Sequence, residues 1–469
     1  MSRKGTRTLR ALLLASLLLT ACRREAPERG RQPRASGSPT PLSLAVAETS
    51  RPAVARPAPV ATEGVDPAPV ASTPARPPAS PPYPGPFPET TARCGVLLPI
   101  VARAAPAVDA VANPNPALDR VPEAARPALR AILRAPQDAA LVAFELGREE
   151  EGIYHNADVP MPLASVVKVI HLVAYAQAVQ DGELDPQMVV PLSDLERYYL
   201  PNSDLRAHPQ ALAALRAEER VFGQPPAVRL EDVPRMMIEF SSNAAADYLH
   251  LLLGQRRIEQ TILDLGLASH SAPCPFLGQF LLMGGRDRDG TAEVRALAAD
   301  PELYSRAVMS VTLAYSERAA SSAAPLGWRS RAQRPALDVQ SLFSEVLNTR
   351  ASARDYANLM GRIADNQLGP WEQSVRIRRY LEWPTGFPTN QERLAWLGYK
   401  GGSLPGVLTV VYYAQPWDRQ RPVVVALFLH NLPLQTYREW RHTLPHDELA
   451  RWLLYDREAI QTVRTVLAP

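Results

Sequence analysis

The 469-residue chain has little surplus of either charge: 51 Lys and Arg stand against 48 Asp and Glu, a formal +3. Acids and bases are interspersed along it, so there is no basic field to hold DNA or RNA, and a nucleic-acid partner is excluded. Histidine and cysteine are scarce, at eight and three residues. His442 and His446 have helical ligand spacing, but Pro445 lies between them and no His or Cys cluster joins them. That argues against a zinc centre, and with it a metal-dependent hydrolase. No phosphate-cradling glycine loop is present, and no cofactor is implied. Gly401-Gly402-Ser403-Leu404-Pro405 misses the G-x-S-x-G elbow and runs on into a strand.

A long apolar span is also missing at the start. Arg3, Lys4, Arg7 and Arg10 precede an apolar run, Ala11 to Leu19, that is too short to cross a bilayer as a mature helix. The pattern predicts a secretory signal over residues 1–22. It ends in Leu19-Thr20-Ala21-Cys22, which resembles a bacterial lipobox with Cys22 as the lipid attachment point. The expectation is an exported, lipid-anchored protein facing the periplasm or the cell exterior. Residues 23–93, crowded with Pro, Ala, Ser, Thr and Arg, are expected to form a disordered linker. Residues 94–469 are expected to fold as one monomeric domain. Export would place Cys94 and Cys274 in an oxidising setting, where they can pair or stay free, since sequence does not give their separation.

Within the folded part, Ala140 to Gly147 reads as a buried strand with a hairpin partner at Gly152 to His155. From Ser165 a helix apolar nearly all round runs to Asp181-Gly182. Residues 183–229, interrupted by prolines, read as a capping layer. Two helices, Leu230 to Glu239 and Ala244 to Gly254, meet at the polar break Phe240-Ser241-Ser242-Asn243. Residues 284–345 show no single clear period and read as an insertion. Ser352 to Ala364 is an amphipathic helix with Ser352 as N-cap. Trp396 to Lys400, Val407 to Ala414 and Pro422 to His430 read as an antiparallel meander, followed by one helix from about Asp447 to Val466. Strands at both ends with helices between them predict an α+β fold, layered α/β/α, whose sheet is closed by the two ends of the domain.

Three short elements carry chemistry. Ser165 and Lys168 share a helix face one turn apart, and a lysine in an apolar run is the odd feature. Desolvation of such an amine, from about 10.4 toward neutrality, amounts to roughly 4 to 5 kcal/mol and leaves a base able to take a serine proton. The bland reading is a capping Ser beside a Lys reaching to solvent. Ser241-x-Asn243 sits on an interhelical break, where a hydroxyl can relay a proton and an amide can hold a substrate amide; helix capping is the alternative. Lys400-Gly401-Gly402-Ser403 ends a strand, and its glycines let a ligand lie against the backbone; turn chemistry alone is the alternative.

In this order, the three elements resemble the S-x-x-K, S-D-N, K-T-G pattern of class A β-lactamases and penicillin-binding proteins. The resemblance covers about residues 135–460. It implies that Ser165 is the acylated nucleophile, Lys168 its activating partner and Ser241 a proton relay. It implies further that Asn243 holds the acyl side-chain amide and that Lys400 attracts a substrate carboxylate. Gly402 lies within the binding strand, and the Ser165 and Ser403 amides make the oxyanion hole. Substrates would be β-lactams or peptidoglycan-derived amides. Three departures stand out: Ser242 replaces Asp, Gly401 replaces Thr or Ser, and Pro273 to Phe280 has no carboxylate where class A enzymes keep the glutamate that activates the deacylating water. Val407 to Ala414 also has no Arg for carboxylate recognition. A β-lactamase-like hydrolase, a D,D-peptidase or transpeptidase, another serine amidase such as a glutaminase, and a non-catalytic wall-binding lipoprotein all remain open.

Overall fold

The computed structural model describes residues 94–96, 116–283, 290–321 and 335–467. The expected signal, Cys22 and the linker lie outside the described residues. All described residues fall in one compact unit.

Five strands form one antiparallel sheet: β1 (Ala139–Glu145), β2 (Ile153–His155), β3 (Leu394–Leu404), β4 (Val407–Pro416) and β5 (Val423–Leu429), in the order β2-β1-β5-β4-β3. β1 pairs with β5 along its whole length, from Ala139 opposite Leu429 to Glu145 opposite Val423. The two ends of the domain therefore close the sheet, as the sequence predicts, and β3 is left at an edge.

Alternate residues face two different cores. Val142, Phe144, Val411, Tyr413 and Phe428 pack on one side, toward the Ala353–Ala364 helix. Leu141, Ala143, Val410, Tyr412 and Leu427 pack on the other, against the Arg126–Arg134, Pro445–Tyr455 and Ala459–Leu467 helices. Because both faces are covered, β4 and β5 read as apolar runs without polar alternation. Ser352 caps the Ala353–Ala364 helix, accepting the Asp355 amide at 3.1 Å.

The Lys168–Gln180 helix is enclosed by the Asp232–Ile238, Asn243–Leu253, Gln255–Leu265 and Trp371–Leu381 helices, so residues 168–176 are all buried. That enclosure explains its apolarity on every side.

Three expectations change. Residues 284–345 include three helices, Gly290–Ala299, Pro301–Ser321 and Leu337–Val346. The buried positions of the middle one, Tyr304, Ser305, Val308, Met309, Thr312, Tyr315 and Ser316, do recur at helical spacing. Hydroxyl residues occupy much of that stripe, which erases the hydrophobic period. β3 runs through Lys400-Gly401-Gly402-Ser403 rather than ending there, with Ser403 still paired opposite Leu408. The single C-terminal helix is two, Pro445–Tyr455 and Ala459–Leu467, broken at Asp456. Cys94 and Cys274 form a disulfide. It belongs to the small core shared by Tyr304, Val308 and Phe343.

Candidate active site

The chain enters the first motif through a short turn. Leu163 donates to the Thr349 carbonyl at 2.9 Å, Asn348 Oδ1 accepts the Ala164 amide at 2.9 Å, and Thr409 Oγ1 donates to the Leu163 carbonyl at 2.8 Å. Ala164 is held at φ +47°. Residues 164–167 then make one 3-10 turn, and the α-helix begins at Lys168. Ser165 therefore opens onto the cleft while Lys168 points into the interior, with no exposed surface.

Lys168 Nζ meets four oxygens: the Ser241 carbonyl at 2.7 Å, Asn243 Oδ1 at 2.7 Å, Ser165 Oγ at 3.0 Å and Ser241 Oγ at 3.2 Å. Burial lowers its amine from 10.5 to about 7, against the pull of Asp204 and Asp247. A neutral amine has two hydrogens and one lone pair. The carbonyl and the amide oxygen can only accept, so they take the two hydrogens. The lone pair is left for a hydroxyl.

The second motif divides its labour. Ser242 Oγ accepts the Ala245 amide at 3.1 Å and so caps the Asn243–Leu253 helix; it also meets His208 Nδ1 at 2.9 Å. Capping thus falls to the residue that departs from the family pattern. Ser241, at φ +66°, keeps its hydroxyl in the cleft. Asn243 turns Oδ1 to Lys168, and its Nδ2 makes no hydrogen bond among the described residues.

The third motif arrives on β3. Lys400 is 3% exposed; its Nζ donates to Ser241 Oγ at 3.0 Å and to the Gly401 carbonyl at 2.7 Å. Burial and the nearby Lys168 push its amine well below the ordinary lysine range. A Cβ at Gly402 would lie 2.7 Å from the Leu163 carbonyl and 2.8 Å from the Ser165 amide, so only glycine lets the strand pass this close to the Ser165 turn. Ser403 Oγ shares a 3.0 Å hydrogen bond with the Tyr437 hydroxyl. Ser165, Lys168, Ser241, Asn243, Lys400, Gly402 and Ser403 are thus brought together, from segments more than 200 residues apart.

The sequence profile of the β-lactamase enzyme family matches residues 124–443. The chain belongs to that family. Among solved structures it is similar to a β-lactamase from Sphaerobacter thermophilus, at 18% identity and a TM-score of 0.42, covering 73% of this chain and 95% of that one. A β-lactamase from Burkholderia vietnamiensis gives 14% identity and 0.41, covering 69% and 94%. The structure of PBP-A gives 16% and 0.38, covering 69% and 95%. No curated protein matches the chain.

The 273–280 segment, which has no carboxylate, lays an aromatic ring against the buried amine: Phe276 lies 4.6 Å, ring centroid to Nζ, from Lys168. The segment is anchored by Asp247, whose two oxygens accept the Phe276 and Leu277 amides at 2.7 and 2.6 Å. Burial raises Asp247 to about 7, opposed by those amides and by Lys168. Sequence reading passed over Asp247, although a lone acid in the apolar run Ala244-Ala245-Ala246-Asp247-Tyr248-Leu249 is the same signal that singles out Lys168. It also passed over Asp204 and Arg441, which line the cleft from an irregular loop and from the Leu434–Thr443 helix.

The cleft encloses about 270 Å³ over Ser165, at the small end for a ligand site, and its walls include Phe240, Phe276, Phe280, Trp383 and Tyr399. Among the described residues no group of three or more His, Cys, Asp or Glu could hold a metal, and no helix is long and apolar enough to cross a membrane. His442 lies in the last turn of one helix and His446 in the first turn of the next, with Leu444 at φ +53° between them.

Proposed function

We propose that the protein is an exported, Cys22-anchored serine hydrolase that forms an acyl-enzyme at Ser165 with a β-lactam or a related peptidoglycan-derived amide. The observation that carries this reading is the continuous chain from Lys400 Nζ to Ser241 Oγ at 3.0 Å, on to Lys168 Nζ at 3.2 Å and to Ser165 Oγ at 3.0 Å. Neutral Lys168 takes the Ser165 proton as Oγ bonds to the substrate carbonyl carbon. The oxyanion is received by the Ser165 and Ser403 amides, donors of a kind typically worth about 3 to 4 kcal/mol each. Ser241 passes a proton to the leaving nitrogen as the C–N bond breaks. Asn243 Nδ2 is free to hold the acyl amide, whereas Lys400 Nζ is taken up by Ser241 Oγ and the Gly401 carbonyl and must be protonated and leave one of them to hold a carboxylate.

The 273–280 segment, with Phe276 in place of an acid, favours a second reading within the same family: a D,D-peptidase or transpeptidase that acylates readily and turns over β-lactams slowly. Purified protein incubated with a chromogenic cephalosporin and a fluorescent penicillin separates the readings. Sustained colour supports a lactamase, and a stable one-to-one adduct supports a peptidase. Neither signal, with no mass shift, leaves a wall-binding lipoprotein or an amidase of other specificity. An adduct that persists in Ser165→Ala refutes the nucleophile assignment.

A further inference from the structure

The 273–280 segment has no carboxylate, yet the cleft does. Of its two lining acids, Asp447 is occupied: its Oδ1 accepts the Tyr412 hydroxyl at 2.6 Å, and Oδ2 faces Arg451 at 3.8 Å. Asp204 is different. It lies between Ser203 and Leu205, which line the cleft with it beside Ser165, Ser241 and Asn243. Its Oδ2 accepts the His208 amide at 3.0 Å, which accounts for a structural role at the start of the Ala207–Ala217 helix. Its Oδ1 is buried and makes no full hydrogen bond, although the Asn243 and Arg206 amides lie close enough to act on the carboxylate.

A bare buried carboxylate oxygen is costly and calls for a partner. The backbone around it is held in an unusual shape, with Asn202, Leu205 and Arg206 all at positive φ, between +55° and +72°. Such strain is kept where the surroundings fix it, and often where a side chain must be aimed. Asp204 also feels the Lys168 charge directly, so the two groups share one electrostatic environment.

We propose that Asp204 is the base that activates the water hydrolysing the Ser165 acyl-enzyme, reaching the cleft from the loop before the Ala207–Ala217 helix instead of from the 273–280 segment. This rests on the reading that Ser165 is acylated. Oδ1 takes a proton from water as the water oxygen bonds to the ester carbonyl carbon. The tetrahedral intermediate then breaks its bond to Ser165 Oγ, which takes a proton from Lys168 as Lys168 takes up the one Asp204 received, so both groups are restored and the product leaves as a carboxylic acid. Burial raises the Asp204 carboxyl above the usual range, which suits a base, while the His208, Asn243 and Arg206 amides and Lys168 favour its ionised form. The titratable groups that feel it are Lys168, Tyr199 and, through its amide, His208.

The test follows a fluorescent penicillin on the full chain by stopped flow and intact mass, for the wild type, Asp204→Asn and Asp204→Glu. The expected result is an adduct in Asp204→Asn whose lifetime is at least about 100-fold longer than in the wild type, with partial recovery in Asp204→Glu. Wild-type deacylation is expected to slow as pH falls through the Asp204 titration, and that acid limb to vanish in Asp204→Asn. Should Asp204→Asn fail to fold, a wild-type deacylation rate without that acid limb, or an Asp204→Glu adduct as long-lived as a dead enzyme's, overturns the proposal. An Asp204→Asn adduct cleared as fast as the wild type's, or a wild-type adduct that persists for hours, overturns it and leaves acylation standing. No wild-type adduct at all refutes acylation of Ser165 by a penicillin, and the proposal falls with it.

Discussion

Lys400 Nζ donates to Ser241 Oγ across 3.0 Å, joining an edge strand to an interhelical break 159 residues away. Because Lys168 Nζ also reaches that oxygen, at 3.2 Å, Ser241 Oγ bridges the two amines. Ser241→Ala removes the bridge without adding bulk, and Ala tolerates the backbone about as well as Ser. The expected outcome is a drop of about 10² to 10⁴ in the rate of adduct formation with a fluorescent penicillin, as for loss of a proton-transfer group, with the melting temperature little changed.

If Ser165 is acylated, Lys168 is expected to set the pH profile of adduct formation. Its amine, lowered by burial to about 7, is charged and without a lone pair below that point. Adduct formation is therefore expected to rise about tenfold per pH unit up to about 7 and to level off above it. Asp247 titrates in the same range, so the observed midpoint belongs to the pair. Lys168→Arg, which stays charged at every working pH, should abolish adduct formation across the whole profile. A flat profile in the wild type would remove Lys168 as the base.

The parts of the fold legible in the sequence are those where one rule dominates. β1, β4 and β5 are short apolar runs between turns, and the Lys168–Gln180 helix is apolar on all sides because helices enclose it. Ser165 and Lys168 could be placed on one face by spacing alone. What could not be read depends on tertiary context. The Pro301–Ser321 helix hides its buried stripe behind Ser305, Thr312 and Ser316. Asp204 sits in a loop with no periodicity, and nothing local says that one of its oxygens is left bare inside a cleft built by residues far along the chain. The disulfide was open for the same reason: two thiols 180 residues apart carry no distance in their spacing.

Asp247 holds the wall of the cleft. Both of its oxygens accept backbone amides, so Asp247→Asn turns an NH2 group toward one N–H that has no other partner. Leaving that buried donor unsatisfied is expected to cost about 1–3 kcal/mol, seen as a lower midpoint in urea. Phe276 is fixed by one of those amides and lies against Lys168, so the acylation midpoint should shift as well. An unaltered urea midpoint would show that the two amides find other partners.

Gly402 is a question of clearance. A Cβ there would press on the Leu163 carbonyl and the Ser165 amide, at 2.7 and 2.8 Å, and on Thr409 Oγ1. Gly402→Ala must push β3 away from the nucleophile turn or distort that turn, at a cost of about 1–3 kcal/mol for overpacking. Adduct formation should fall far more than stability does, because the Ser165 amide is among the groups displaced. A variant that melts lower yet acylates at the wild-type rate would show that the turn does not depend on the strand.

If the substrate carries a carboxylate, an arginine that reads it lies outside β4, which has none. Arg441 lines the cleft from the Leu434–Thr443 helix and makes no ion pair among the described residues. Its guanidinium lies 5.7 Å from the centre of the Tyr437 ring, and the Tyr437 hydroxyl bonds Ser403 Oγ at 3.0 Å, so the arginine is tied to the end of the binding strand. If it attracts a substrate carboxylate, its interaction is the same in the ground and transition states, and its loss acts on binding. Arg441→Ala is then expected to raise KM about 5- to 10-fold for a penicillin while kcat stays within about twofold, the size of a partly screened charged contact. The penicillin methyl ester, which lacks the negative charge, should show no such difference between wild type and variant. An equal loss on acid and ester would mean that Arg441 supports the cleft wall through Tyr437 and does not read the carboxylate.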